Sequence, residues 1–287
     1  MKIILRKTVF YSLIALIVFT LVASTGNTHQ LLSRNDQQLQ DCLMAGSVVN
    51  HRQQIGKFCT NLPQSDISPT STLNLSESER FVAEVKNKLL VLPQSGSYEY
   101  ILLRAYGAIF INQNPGVKLP QKVFFTNENE TKAFQSNLTL GKVNNTNNCY
   151  LQKVAADAFN QAQAQVAIPL KSGYGASDCT RTFTTNLKFW RKYANTITLE
   201  RVRQGKETKI LSTVAPPGAS QHLWGLAIDL RALTPMQKQA LHQNGWFQTV
   251  ENDIPHWTYL GQPQEKLAEF GLQNKIVKGV SYWVTPL

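Results

Sequence analysis

His222, Asp229 and His256 are the residues of this 287-residue chain best suited to chemistry. They stand in Ser220-Gln221-His222-Leu223-Trp224-Gly225-Leu226-Ala227-Ile228-Asp229 and in Asp253-Ile254-Pro255-His256-Trp257. Two imidazoles and one carboxylate are the pieces of a three-ligand zinc site with an open fourth position. An ion held that way polarises a carbonyl and brings the pKa of water towards neutrality, which suits attack on an acyl carbon. Asp253, three residues before His256, is then the candidate proton acceptor, with Glu251 as its nearest rival.

Each residue also has a plainer reading. A lone histidine is more often structural than a ligand, and of the five in the chain His29, His51 and His242 lack comparable company. Asp229 closes an alternating apolar stretch, where a surface carboxylate is ordinary, and Asp253 reads equally as a loop carboxylate. Gly225 permits a tight bend after His222, and Pro255 stiffens the turn that aims His256.

The ordered pattern Ser-x-His-x-x-Gly-x-Ala-x-Asp, followed by acid-x-x-His, resembles the zinc D-alanyl-D-alanine carboxypeptidase family. That group includes vancomycin-resistance D,D-carboxypeptidases and L-alanyl-D-glutamate endolysins. The matching positions are Ser220, His222, Gly225, Ala227, Asp229, Asp253 and His256, and the resemblance covers about Leu151 to Gly261. It implies an α+β domain whose antiparallel sheet carries one zinc ion, with His222, Asp229 and His256 as ligands and Asp253 as base. The implied activity is hydrolysis of a peptidoglycan stem peptide. Removal of the terminal D-alanine comes first, and cleavage between L-alanine and D-glutamate is the alternative. A non-catalytic zinc domain that binds wall peptides or a partner is the reading of a different class.

Two departures from the family pattern matter. Members carry Ser-Gly-Tyr-Arg where this chain has Ser172-Gly173-Tyr174-Gly175, and that arginine is expected to hold the substrate. Arg181, six residues on, either reaches the same space as a catalytic group or sits on the surface. Trp257 follows the last histidine, as in the endolysin-like pattern, whereas many carboxypeptidases have tryptophan before it. Ser220, Tyr174 and Trp224 complete the candidate substrate-binding set, with core packing as the alternative for Trp224. Ser220 lacks a Gly-x-Ser-x-Gly elbow, so it is read as a support for the turn rather than a nucleophile.

The elements that must position these residues follow from periodicity. A helix is predicted from Ser76-Glu77-Ser78-Glu79 to about Leu90, with Phe81, Val82, Val85 and Leu89 on one face. Strands are predicted at Tyr100–Leu103, Ala108–Ile111 and Lys122–Phe125, and a surface loop over 126–148. Helical spacing marks Leu151–Gln165, Val166–Leu170 reads as a strand, and helices follow at Arg181–Tyr193 and Pro235–Gln243. The expected organisation is a signal or anchor at 1–24, a linker at 25–80, an accessory α/β segment at 81–148 and the zinc domain at 149–287.

Lys2, Arg6 and Lys7 precede an apolar run from Val9 to Ala23, the order of a secretory signal or an uncleaved membrane anchor. Either places the remainder outside the cytoplasm: secreted, periplasmic or membrane-anchored. Four cysteines agree with that compartment, and the expected pairs are Cys42–Cys59 and Cys149–Cys179. The net charge of +11 favours an anionic partner such as cell wall, but the basic residues are scattered and no nucleic-acid module is recognisable.

Overall fold

The computed structural model describes residues 75–173 and 175–287. The signal or anchor, most of the linker, the Cys42–Cys59 pairing and Tyr174 lie outside the described residues. Among the described residues no helix is long and apolar enough to cross a membrane. The architecture is α+β, with helices around small antiparallel sheets.

Helix α1 (Glu77–Lys86) starts where the sequence places it, because Ser76 and Glu79 form a reciprocal capping box. Its Phe81 and Val85, one helical turn apart, are buried. The next stretch corrects the strand expectation: Tyr98–Tyr106 is helix α2, and Gly107–Ile111 continues as a 3-10 helix. A short apolar run does not reveal its own period, and here Ser97 decides by accepting a hydrogen bond from the Tyr100 N–H. Lys122–Phe125 forms no strand either. It is held by the Phe125 N–H donating to Gly218 O at 3.0 Å. Gly218 has a φ of 88°, and a Cβ there would lie 1.8 Å from Phe125 O, so only glycine allows this approach.

The expected loop over 126–148 contains helix α3 (Glu128–Gln135), capped by Asn127, and strand β1 (Leu140–Lys142). Strand β1 pairs with β2 (Tyr150–Gln152), so helix α4 (Lys153–Gln165) begins later than its periodicity indicates. Helices α5 (Phe183–Tyr193) and α7 (Pro235–Gln243) match expectation, and α6 (Thr196–Arg203) lies between them. At Val166–Leu170 the expected strand reduces to one antiparallel bridge, Leu170 with Leu230.

The central sheet has the order β3 (Ala227–Asp229), β5 (His256–Tyr259), β4 (Trp246–Phe247), all antiparallel. A terminal hairpin, β6 (Gln273–Val277) and β7 (Val280–Val284), carries no strong alternation and was not expected. One hydrophobic cluster takes in Phe81, Phe110, Phe159, Trp224, Trp246 and Trp257. Described residues before 149, Phe81 and Phe110 among them, therefore pack into the same core as the sheet.

Candidate metal centre

Three backbone devices bring the three candidate ligands together. Asp229 and His256 are direct partners across β3 and β5, so both side chains leave the same face of the sheet. The paired Ile228 and Trp257 face the other way, into the core. His222 comes from a 3-10 turn, Gln221–Trp224, that ends at Gly225 with φ 67°. That left-handed residue reverses the chain into β3, which a side chain there would resist.

The candidate ligand atoms of His222, Asp229 and His256 lie within 4.8 Å of one another. His222 Nε2 is 3.3 Å from Asp229 Oδ1 and 3.2 Å from His256 Nδ1. His256 Nδ1 is 3.6 Å from the same carboxylate oxygen. All three residues are buried.

The surrounding hydrogen bonds fix the tautomers. His222 Nδ1 is 2.8 Å from Cys179 O, a carbonyl that can only accept, so the proton sits on Nδ1. Gln221 Nε2 donates to Tyr106 O, which turns Gln221 Oε1 towards Thr258 and His256. His256 Nε2 donates to that oxygen at 2.7 Å. Two imidazole lone pairs therefore face each other beside a carboxylate, a repulsive arrangement that a bound cation converts into a coordination set. Burial, reinforced by the Arg181 charge, pushes His222 down to about 4, so at neutral pH a proton does not fill the gap. Burial alone would raise Asp229, but His222, His256 and Arg181 together hold it well below the usual carboxylate range. The residues present fit a divalent cation.

Asp253 is half-buried beside this cluster and lines the same cleft. Burial, with Asp229 adding repulsion against the pull of His256, Lys171 and Arg181, raises its carboxyl to about 6. A carboxyl tuned towards neutrality is suited to accepting and returning a proton.

The other expected site residues divide. Ser220 is buried and lines the cleft. Trp224 is buried with its ring 5.8 Å from that of Phe110 and does not line it. Arg181 is at the site, where Nη2 donates to Asp229 Oδ2, Nε donates to Ser177 O at 2.6 Å, and the guanidinium lies over the Phe189 ring at 4.6 Å. The expected Cys149–Cys179 disulfide is present, with Cα atoms 5.4 Å apart. Sequence reasoning passed over Gln221 and Lys171. The only signal for Gln221 is a polar residue directly before the histidine, and for Lys171 there is none. A larger open cavity of about 780 Å³ shares only Val250 with this cleft and contains none of the ligand set.

Residues 148–274 match the VanY family model, described as D-alanyl-D-alanine carboxypeptidase. No curated protein matches the chain. The matched segment holds the three candidate ligands, Asp253, Arg181 and both bridged cysteines. Residues 148–274 thus carry a domain of the VanY D-alanyl-D-alanine carboxypeptidase type.

Proposed function

We propose that the protein is a zinc-dependent D,D-carboxypeptidase that removes the terminal D-alanine of peptidoglycan stem peptides outside the cytoplasm. The observation that carries the reading is the pair of opposed imidazole lone pairs beside Asp229, with Asp253 in the same cleft. Two histidines and one carboxylate are a ligand set for catalytic zinc that leaves a position open. When bound, zinc supplies Lewis-acid chemistry, polarising a carbonyl and acidifying water.

The chain's own residues do the rest. His222 and His256 present single, fixed nitrogens because Cys179 O and Gln221 Oε1 hold their other edges. Arg181 orients Asp229 from the far oxygen. Asp253 takes the proton of the attacking water and returns it to the leaving amine, which restores its own state each turnover. The Cys149–Cys179 bridge supports an oxidising compartment, consistent with a wall substrate.

The test is mass spectrometry of a wall pentapeptide incubated with the zinc-loaded chain and with a chelated control. Loss of one alanine only with zinc is the expected result. A fragment beginning at D-glutamate would move the assignment to the endopeptidase activity. Intact peptide with zinc bound would favour a non-catalytic binding domain.

A further inference from the structure

An enzyme that trims a chain end must recognise the end. In a peptide the end is a carboxylate one residue beyond the scissile carbonyl, and a fixed ammonium or guanidinium is the group that binds it in a charge-assisted way. Two such groups line the metal cleft, Arg181 and Lys171. Arg181 spends Nη2 on Asp229, Nε on Ser177 O and its face on Phe189. Lys171 makes no ion pair among the described residues and is exposed, with three N–H donors to offer.

Its backbone is fixed relative to the metal ligands. The Lys171 N–H donates to Asp229 O at 3.0 Å, and Leu170 before it bridges Leu230. The Ser172 N–H after it donates to Asp178 Oδ2 at 2.8 Å, while Asp178 O accepts from the Asp229 N–H at 2.8 Å. A flexible side chain thus rises from a position tied on both sides to the strand carrying Asp229. The same cleft holds Asp253, whose carboxyl feels the Lys171 charge.

From this placement we infer that Lys171 is a specificity residue that binds the free C-terminal carboxylate of the substrate and so makes the enzyme an exopeptidase. The inference rests on the carboxypeptidase reading above. Lys171 is a cation without an ion pair among the described residues, in the cleft of a chain that has Gly175 where the family resemblance expects arginine. An endopeptidase has no chain end at that point and no use for this ammonium.

The test separates binding from turnover. N-acetyl-L-Lys-D-Ala-D-Ala, as free acid and as C-terminal amide, is titrated calorimetrically into the full chain carrying Asp253→Asn with zinc added. With Lys171 present, the acid binds about tenfold or more tighter than the amide. Adding Lys171→Met closes that gap, and Lys171→Arg restores most of it. A gap that survives Lys171→Met, equal affinities with Lys171 present, or binding of neither peptide overturns the assignment. Turnover of the free acid by the chain with Asp253 intact is measured separately. If the Lys171-dependent gap is present but nothing is cleaved, the carboxylate subsite stands and the proposed activity falls.

Discussion

Arg181 donates from Nη2 to Asp229 Oδ2, leaving Oδ1 as the oxygen nearest both His222 and His256. The guanidinium therefore acts on the ligand rather than on open space. It divides the carboxylate into one occupied oxygen and one free donor, and it keeps Asp229 ionised. Both side chains are about one-tenth exposed, so the pair is held where water screens it little. Arg181→Met is expected to weaken zinc binding about 10–100-fold, the usual consequence of removing a partner that orients a ligand. Competition against a chromogenic chelator measures it. Unchanged affinity would return Arg181 to a role on the substrate alone.

The disulfide reaches the site through one carbonyl. Cys179, joined to Cys149 across 30 residues, accepts from His222 Nδ1 through its backbone oxygen. Closing a loop of that length stabilises the fold by about 3–4 kcal/mol in the chain-entropy account. Replacing both cysteines with serine is expected to lower Tm and also to weaken zinc binding, because the carbonyl that fixes the imidazole becomes mobile. Calorimetry of the metal-free protein and chelator competition read the two effects apart. A lowered Tm with full zinc affinity would show that the neighbouring Thr180–Tyr150 hydrogen bonds are enough to hold the carbonyl.

What the sequence disclosed divides along a physical line. The Cys149–Cys179 pairing and the capped start of α1 at Ser76 were readable because their causes are local. The juxtaposition of His222, Asp229 and His256 was readable because ordered spacing carries it. Tyr100–Leu103 reads as strand although it lies in helix α2, because Ile101, Leu102 and Leu103 are all buried, which erases the period that separates helix from strand. Gln221 and Lys171 were invisible for another reason. Their significance lies in contacts to Tyr106, Thr258, His256 and Asp229, and nothing in a linear spacing announces those.

Asp253→Asn removes the proposed proton acceptor without removing a metal ligand. Turnover of the free-acid peptide is expected to fall about 10²–10⁴-fold, the usual range for a positioned general base. Zinc content should stay at one ion per chain, read by atomic emission after dialysis. Loss of zinc together with activity would mean that Asp253 supports the metal, and the proton would need another acceptor, for which Glu251 is the first candidate. That residue is paired with Lys275 at 2.7 Å, which disfavours the role.

The pH dependence of stability isolates a histidine outside the metal set. His242 stacks on Phe247 with ring centroids 5.0 Å apart, and lies 5.7 Å from the Trp257 ring. Burial, helped by the Lys238 charge, pushes it from 6.5 down to about 4. The unfolded chain therefore binds this proton at a higher pH than the folded one. Its contribution is complete above about 6.5 and is lost progressively as pH falls through that window to about 4. The ring is partly exposed, so the loss is discounted from the full shift to about 1–2 kcal/mol. His242→Phe keeps an aromatic ring on Phe247 and has no proton to bind. With metal removed from both proteins, urea midpoints between pH 7 and 4 should decline more steeply for the parent chain than for the variant. Parallel declines would assign the acid sensitivity to other groups, the unliganded His222 first among them, since it too is held near 4.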